Sequence, residues 1–240
     1  ARTDFDPKTP PHKALTCFVV DRTEGVKVEY LYGLMGCRGG GTGRLAFRDV
    51  KVPRENIVGQ FNGAYAVFNT MMVPERLGTA AMTIGAARPA LEVATRYSSK
   101  RKAFGQKIRE FQGVSFQVAE AATLLDASRA MVLTTARAVD AGADVNLQRR
   151  MISETKRFVT RSCQQAAEHA MQVMGGIGYT SVYPVERIVR DLRLASIWTG
   201  TNEVMSMIVA SEWYRENAPA ARNHEADAEE AEAAGEKIYE

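Results

Sequence analysis

The residues of this sequence best suited to proton-transfer chemistry are Glu75 and Arg76, which follow Pro74 in a long apolar segment. A positioned carboxylate can take a proton from a substrate, and a guanidinium beside it can support that carboxylate. Pro74 leaves the carbonyl four residues earlier without a donor, so we expect the helix to start or bend there. We expect Glu75 to lie in apolar surroundings, where a carboxylate is a stronger base because burial disfavours its charged form. The alternative is a structural ion pair in a first helical turn, where an acidic residue is stabilised by the helix dipole.

A second segment, residues 197–203, offers groups of the kind that bind a polar ligand. Its sequence is Ile-Trp-Thr-Gly-Thr-Asn-Glu. Thr201 is a suitable N-cap for the last helix of the chain. Backbone N–H groups at the start of a helix point outward and can bind a ligand. We expect the two segments together to form one site.

The composition excludes several classes of function. Of 240 residues, 45% are hydrophobic and 25% are charged, and a net charge of +3 gives no case for a nucleic-acid partner. No apolar run approaches the ~18 residues that a membrane span needs. The histidines and cysteines lack metal-ligand spacing, so we expect no metal site and a reducing location, which is the cytoplasm (the mitochondrial matrix if eukaryotic). They are His12, His169, His224, Cys17, Cys37 and Cys163.

Residues 1–60 have the pattern of short strands. Segments 15–20, 26–31 and 44–52 are rich in β-forming residues or alternate apolar with polar ones, and glycine-containing turns separate them. This pattern predicts three or four strands of an antiparallel sheet. Three or four strands cannot easily cover the apolar face of their own sheet. We therefore expect the sheet to continue in residues upstream of this chain.

Residues 61–217 have a helical pattern, and residues 218–240 form an acidic tail. Three apolar stripes with steps of three and four residues predict three long helices, and glycines end the second and third of them. The sequence thus predicts a mainly α fold, a four-helix up-down bundle preceded by part of an antiparallel β-domain. The expected helices are one through the Glu75 segment to about Ala94, then 111–141, 147–174, 184–192 and 201–214.

Each of the three long helices is expected to have one buried face formed by a stripe of mainly apolar residues. The first contains Leu77, Ala81, Ile84, Ala87, Leu91 and Ala94; the second contains Val114, Val118, Ala121, Leu125, Ser128 and Val132; the third contains Ile152, Thr155, Val159, Cys163, Ala166, Ala170 and Val173.

Six motifs occur in an order and spacing that resemble the acyl-CoA dehydrogenase family. They are Arg-Lys-Ala-Phe-Gly at 101–105, Phe-Gln at 111–112, Gln-Val-Met-Gly-Gly-Ile-Gly-Tyr at 172–179, Tyr-Pro-Val-Glu-Arg at 183–187, Arg-Asp at 190–191 and Gly-Thr-Asn-Glu at 200–203. The resemblance also includes Arg38-Gly39 and residues 52–59, and it covers about residues 14–216. Each motif alone is weak, but chance does not place six in register.

The resemblance implies a fold, a cofactor and partners. Family members have a helical N-terminal domain, a middle β-domain and a four-helix C-terminal domain, so residues 1–60 resemble the second half of the β-domain. We expect the chain to be a fragment of a longer enzyme, or to need a partner chain that supplies the first half. The family forms dimers of dimers, acts in fatty-acid β-oxidation, and passes electrons from FAD to an electron-transfer flavoprotein.

The reaction implied is removal of an α-proton and a β-hydride from an acyl-CoA, which leaves a trans-2-enoyl-CoA. Most members carry the base just before the glycine of the Gly-Thr motif, but Thr199 occupies that position here. A minority, resembling the isovaleryl-CoA and long-chain dehydrogenases, carry it on the long helix before an arginine. Glu75-Arg76 matches this minority, so Glu75 is the expected catalytic base.

The resemblance also assigns binding roles. Arg76, Trp198, Thr199 and Gly200 are expected to contact the substrate, with the Thr199 N–H on the thioester carbonyl. FAD is expected to contact two groups of residues, the first of them across a subunit interface. The first group is Arg101, Phe104, Gln112, Gln172 and Gly176, and the second is Thr201, Asn202 and Glu203.

Three other functions fit parts of this pattern. An acyl-CoA oxidase shares the fold but lets oxygen reoxidise the flavin, and it differs by rapid peroxide formation in air. A non-catalytic subunit of a heteromeric dehydrogenase would supply half of an FAD site, but it would not need Glu75. A plain helical interaction module would not need six motifs in register.

Overall fold

The structure is a computed structural model, and it describes residues 1–218. Five α-helices account for most of these residues, and none is both long and apolar enough to cross a membrane. The helices are α1 (Ala64–Lys100), α2 (Gln112–Asp140), α3 (Val145–Met174), α4 (Val185–Ala195) and α5 (Asn202–Asn217).

The third helix is the centre of the bundle, because α1, α2, α4 and α5 all pack against it. Connections of 11 residues between α1 and α2 and of four residues between α2 and α3 make these neighbours antiparallel. Asp144 caps α3 by accepting hydrogen bonds from the Asn146 and Leu147 N–H groups. The predicted mainly helical fold is confirmed, and the ends of α2 and α3 fall within two residues of the expected ones.

The sequence predicts a helix start or a bend at Pro74, and the start is wrong, because the first helix begins ten residues earlier, at Ala64. Pro74 and Pro89 both lie inside α1. Pro74 removes the donor for the Thr70 carbonyl, but Thr70 and Pro74 are both exposed, so water can satisfy that oxygen.

The stripes predicted for α2 and α3 are largely confirmed, whereas the stripe of α1 is partly wrong. All seven expected residues of α3 are buried, and so are the last four of α2. In α1, Ala81 is exposed and Ala80 is buried instead. The core face of α1 is made of small residues, which let it approach α3 closely. They are Ala80, Thr83, Ala87, Ala90 and Ala94.

The β-region forms separate two-stranded ladders and not one sheet. Strand β2 (Val26–Leu31) pairs with β3 (Gly43–Phe47), and β1 (Cys17–Phe18) pairs with β4 (Ile57–Val58), both antiparallel. A third ladder, β5 (Lys102–Ala103) with β6 (Gln106–Lys107), lies between α1 and α2. The expected boundary at residue 60 falls in the loop between β4 and α1, and the acidic tail lies outside the described residues apart from Ala218.

Hydrogen bonds attach the β-region to α4. Asp191 accepts from the Cys37 N–H at 2.6 Å, and Arg190 donates to the Met35 carbonyl at 2.7 Å. A Cβ on Gly36 would lie 2.4 Å from the Arg190 carbonyl oxygen, so this close contact requires glycine.

The alanine face of α1 gives a prediction about packing. Ala87→Leu should lower the free energy of unfolding by about 1–3 kcal/mol, because extra methylenes in a close-packed core force neighbours out of position. Denaturant unfolding measures the change. The matched control is Ala86→Leu, one residue away and exposed, which should change stability by no more than about 0.5 kcal/mol. Equal effects of the two variants would contradict the packing described.

Candidate functional site

The centre of the candidate site is the 199–200 turn, formed by Thr199 and Gly200 between α4 and α5. Both residues have left-handed backbone conformations, with φ of 53° and 97°. This conformation is uncommon for a β-branched residue such as Thr199. At Gly200 a Cβ would lie 2.9 Å from the Met205 methyl carbon. The turn is therefore strained at its first residue and open only to glycine at its second.

Two cations hold the carbonyl oxygens of this turn. Arg76 of α1 donates from Nε to the Thr199 oxygen at 3.1 Å, and Lys156 of α3 donates from Nζ to the Gly200 oxygen at 2.8 Å. Residues distant in sequence thus fix two successive peptide groups. Burial, and secondarily the positive charge of Arg149, lowers the pKa of Arg76, but a guanidinium stays charged at neutral pH.

With its carbonyls held on the bundle side, the turn leaves donors for a ligand. Within residues 1–218, the N–H groups of Thr199, Gly200 and Thr201 have no hydrogen-bond acceptor. The Thr199 hydroxyl and the Trp198 indole nitrogen are buried and also lack partners in this part of the chain. Donors without acceptors are costly when buried, so three consecutive unbonded N–H groups on one short turn fit a site that binds an oxygen atom.

The start of α5 supports the turn from the other side. Thr201 is the N-cap, as predicted, and its hydroxyl accepts from the Val204 N–H at 3.3 Å. Glu203 is exposed in the first turn of the helix. Its own backbone N–H, and secondarily the Thr201 hydroxyl, lowers the pKa of the Glu203 carboxyl. This carboxyl therefore remains ionised at neutral pH.

The side chain of Asn202 points into the bundle. Its Oδ1 lies 3.1 Å from Lys156 Nζ and 3.2 Å from the Thr160 hydroxyl. The Oδ1 accepts from Lys156 and the Asn202 Nδ2 donates to the Thr160 hydroxyl at 3.1 Å, so both ends of the amide are hydrogen-bonded. In this structure the Asn202 side chain thus supports Lys156, and its backbone N–H donates to the Ser196 carbonyl at 3.0 Å.

Lys156 was not predicted from the sequence as a site residue. It is fully buried, and among the described residues its ammonium group has no carboxylate within ion-pair distance. Burial, then repulsion by Arg76, lowers the pKa of Lys156 from 10.5 to about 8, with Glu203 acting in the opposite direction. The sequence does contain a pattern that could have identified Lys156 as a site residue: it follows Ile152 by four residues and precedes Val159 by three, on the buried face of α3. An ionisable residue in such a stripe requires polar partners.

Glu75 is exposed, so the expected apolar surroundings are not formed by residues 1–218. In this part of the chain its carboxylate makes no hydrogen bond or ion pair. Consecutive helix residues point about 100° apart around the helix axis. Arg76 therefore reaches the turn, whereas Glu75 points to another side of α1.

The face of α1 that carries Glu75 is nevertheless apolar. We call it the Glu75 stripe: Phe68, Met71, Glu75, Gly78, Met82 and Gly85. Its three large apolar side chains are each about half exposed, and a Cβ on either glycine would meet nothing within 4 Å. A molecule lying on this stripe would surround the carboxylate with apolar groups.

The residues expected to bind the FAD diphosphate and adenosine lie far from the 199–200 turn. The roughly 25 helical residues between Arg76 and Arg101 span about 37 Å. Phe104 is at the tip of the β5–β6 hairpin, with φ of 51° and 96% exposure. Gln112 starts α2, while Gln172 and Gly176 lie at the end of α3, and all three are exposed. The two sets of predicted residues are therefore at opposite ends of the bundle.

The surface near Arg101 has the chemistry that a nucleotide requires. A groove between α1 and the segment before α4 is lined by three cationic and two aromatic side chains. They are Arg96, Lys100, Arg101, Tyr97 and Tyr183. Guanidinium groups match phosphate oxygens, and a Cβ on Gly176 would meet nothing within 4 Å, so a ligand can approach the backbone there. No group of three potential metal ligands occurs within residues 1–218.

Comparisons with known proteins agree with these features. The family model described as "Acyl-CoA dehydrogenase, C-terminal domain" matches residues 62–213. Subunit CarC of the caffeyl-CoA reductase-Etf complex of Acetobacterium woodii is 35% identical over 214 residues, which cover 88% of this chain and 54% of that protein. The mitochondrial short/branched chain specific acyl-CoA dehydrogenase of Bos taurus is 34% identical over 215 residues, covering 88% and 48%. The structure of butyryl-CoA dehydrogenase from Megasphaera elsdenii matches with a TM-score of 0.82 and 31% identity, covering 90% and 55%.

The chain therefore belongs to the acyl-CoA dehydrogenase family, and the predicted resemblance is confirmed. FAD, the cofactor of this family, is confirmed with it. The chain spans about half the length of the relatives that it matches.

The geometry of Gly200 gives a prediction about stability. Gly200→Ala should lower the free energy of unfolding by about 1–3 kcal/mol, because the methyl group clashes with Met205 and disfavours the positive φ. The matched control, Gly85→Ala, places a methyl group in open space within α1 and should raise stability by about 0.5–1 kcal/mol. Denaturant unfolding distinguishes them. A Gly200→Ala protein as stable as the wild type would contradict the turn.

The pKa of Lys156 gives a prediction about pH dependence. Between its folded pKa of about 8 and its ordinary value of 10.5, the unfolded chain binds more protons at this residue than the folded chain does. The contribution of Lys156 to the free energy of unfolding should therefore rise with pH through this window. Measured unfolding curves of the wild type and Lys156→Met should diverge above pH 8. Parallel pH profiles would mean that Lys156 titrates normally.

Proposed function

We propose that this chain carries the base and the carbonyl-binding turn of an FAD-dependent acyl-CoA dehydrogenase. The observation that carries the proposal is the hydrogen bond between Arg76 and the Thr199 carbonyl. It fixes the α1 segment that bears Glu75 against the turn whose N–H groups are free. A base and an oxygen-binding turn are the two parts needed to remove a proton beside a thioester carbonyl.

The turn binds the thioester oxygen through the Thr199 N–H, and Trp198 and Gly200 border the thioester. As the α-proton leaves, negative charge develops on that oxygen. Donors held in advance stabilise this charge without reorganising during the reaction. The cations behind the turn, Arg76 and Lys156, add a positive potential that favours this negative charge.

Glu75 takes the α-proton. The α-carbon C–H bond breaks, the proton moves to the Glu75 carboxylate, and the electron pair forms the new carbon–carbon double bond as the β-hydrogen leaves as a hydride. When bound, FAD supplies the acceptor for that hydride. Thr199, which has no carboxylate, cannot serve as the base. The acyl chain and flavin on the Glu75 stripe would exclude water and make the carboxylate a stronger base.

The rest of the site is supplied from outside this chain. Strands β2 and β3 expose large apolar side chains that need covering, among them Val28, Tyr30, Leu45 and Phe47. We propose that further β-structure covers them, either from a longer form of this chain or from a partner chain. The region covered would include the place of the flavin ring.

The separation of the two predicted FAD groups supports an oligomer. In one copy Thr201, Asn202 and Glu203 would lie against the flavin. Arg101, Phe104, Gln112, Gln172 and Gly176 would hold the diphosphate and adenosine of the neighbouring copy, because they lie at the other end of the bundle. A homo-oligomer, a dimer of dimers, arranges the copies in this way, and electron-transfer flavoprotein is the proposed electron acceptor.

A second candidate is the reverse reaction, reduction of a 2-enoyl thioester. The most similar proteins described above include a subunit of a caffeyl-CoA reductase-Etf complex. In this direction protonated Glu75 would donate to the α-carbon, since the same group acts in both directions. Assaying the complete protein with an acyl-CoA and an artificial electron acceptor, and with the enoyl-CoA and reduced electron-transfer flavoprotein, compares the two directions.

The role of Glu75 can be tested in the complete FAD-bound protein. Glu75→Gln should retain the bound flavin and the fold, but should slow both α-proton exchange and flavin reduction by acyl-CoA by about 10²–10⁴-fold, because the amide cannot accept the proton. Stopped-flow absorbance measures the reduction, and deuterium incorporation measures the exchange.

The control is Glu92→Gln, which removes an exposed carboxylate from the same helix and should leave both rates within about twofold, as expected of a surface change. Normal flavin reduction in Glu75→Gln would remove Glu75 from the mechanism. Rapid peroxide formation in air would identify the protein as an oxidase, and a wild type that cannot exchange the α-proton would fit a non-catalytic subunit.

A further inference from the structure

The buried lysine of α3 supports the 199–200 turn from inside the bundle. Lys156 places its ammonium group beneath the 199–200 turn, 2.8 Å from the Gly200 carbonyl oxygen. Its second partner is the Asn202 amide oxygen at 3.1 Å. An ammonium donates three hydrogen bonds, and these two link the turn to the first residue of α5.

We propose that Lys156 is a positioning residue for substrate: it holds the peptide between Gly200 and Thr201 so that the free Thr201 N–H joins the Thr199 N–H in facing the thioester carbonyl. This inference rests on the proposed function, because it assigns the turn to a thioester. It adds that the buried Lys156 side chain, which does not contact the substrate, influences binding of the thioester carbonyl.

Lys156 fixes the orientation of the Gly200 carbonyl in a strained turn. Thr199 and Gly200 both have positive φ, and Thr199 is β-branched, so the turn is unfavourable by itself. Arg76 holds only the Thr199 carbonyl, at 3.1 Å. Without Lys156, the Gly200 peptide has no hydrogen-bond partner among residues 1–218 and is free to rotate. Rotation would turn its carbonyl toward the ligand, where an acceptor repels the oxygen of a thioester.

The positive charge of Lys156 also strengthens the binding of an oxygen atom by the turn. Hydrogen bonding from a cation polarises a peptide group, so the Thr201 N–H joined to the Gly200 carbonyl becomes a better donor. The Lys156 charge also lies on the side of the turn opposite the free N–H groups. It therefore stabilises negative charge that develops on an oxygen bound there. A neutral donor at the same place would reproduce the first effect and only part of the second.

Thr160 and Asn202 hold Lys156 itself in place. The Thr160 hydroxyl donates to the Lys156 carbonyl at 2.8 Å and accepts from the Asn202 amide N–H at 3.1 Å. Thr160, Asn202 and Lys156 thus form a closed polar cluster between α3 and α5. A network of mutual hydrogen bonds of this kind limits the positions that the Lys156 side chain can adopt.

The experiment uses the complete FAD-bound protein and two ligands that differ in their carbonyl groups. Acetoacetyl-CoA has the thioester carbonyl and a second, 3-keto carbonyl, whereas S-butyl-CoA has the same number of acyl carbons and neither carbonyl. In Lys156→Met we expect the dissociation constant of acetoacetyl-CoA to rise about tenfold or more, as for a lost charged hydrogen bond. That of S-butyl-CoA should change by less than about twofold, because it does not use the turn.

Two matched variants separate position from charge. Lys156→Gln retains a neutral donor and should give an intermediate loss for acetoacetyl-CoA. Arg157→Met removes the next, exposed cation of α3 and should leave both dissociation constants unchanged. Equal weakening of both ligands in Lys156→Met would make the role only structural, and unchanged binding of both would overturn the inference.

The wild type gives an independent readout that does not depend on a variant folding. The charged groups facing Lys156 are Arg76 from α1 and Glu203 from α5. As pH rises through about 8, Lys156 loses its charge, so the preference for acetoacetyl-CoA over S-butyl-CoA should fall in that range. A preference that stays constant from pH 7 to 9.5 argues against the inference. A wild type that binds neither ligand contradicts the proposed function itself.

Discussion

The constraint on which the site depends is the pair of hydrogen bonds from Arg76 and Lys156 to successive carbonyls of the 199–200 turn. A left-handed Thr199 followed by a left-handed Gly200 costs on the order of 1–3 kcal/mol at the threonine alone. Charge-assisted hydrogen bonds are about twice as strong as neutral ones, and two of them offset this strain. The strained turn exists because two distant helices support it.

That support requires close packing between helices. The core faces of α1 and α3 contain alanines at Ala80, Ala87, Ala166 and Ala170, so that the helices approach closely and the side chains of Arg76 and Lys156 reach the same turn. On α5, Glu212 is buried and pairs with Arg149 of α3 at 3.0 Å, which holds the helix that begins at the turn. The precision of the site is therefore a property of the whole bundle.

The bundle separates two tasks along its length. At one end lie the 199–200 turn and the Glu75 stripe, where the carbonyl chemistry is proposed to occur. At the other end the exposed Phe104 and the groove beside Arg101 offer aromatic and cationic groups. Rigid helices keep these ends about 37 Å apart, so the proposed cofactor site needs neighbouring copies. Each copy would contribute to more than one site.

The sequence by itself determined the helical class, the stripes of α2 and α3, the Thr201 cap and the family. These features follow from local periodicity and local motifs, which act over a few residues. It failed at the start of α1, because a proline on an exposed helix face is tolerated. It also failed to predict separate β-ladders in place of one sheet, because strand pairing is not local.

Only the tertiary structure decided which side chains meet. It brought Arg76 and Lys156 to adjacent carbonyls although 80 residues separate them, and it turned Asn202 inward and left Glu75 exposed. No local pattern encodes these outcomes, because they depend on how three helices pack around one turn. The chemistry of a residue can be read from its type, but its partners are set by packing between segments far apart in the chain.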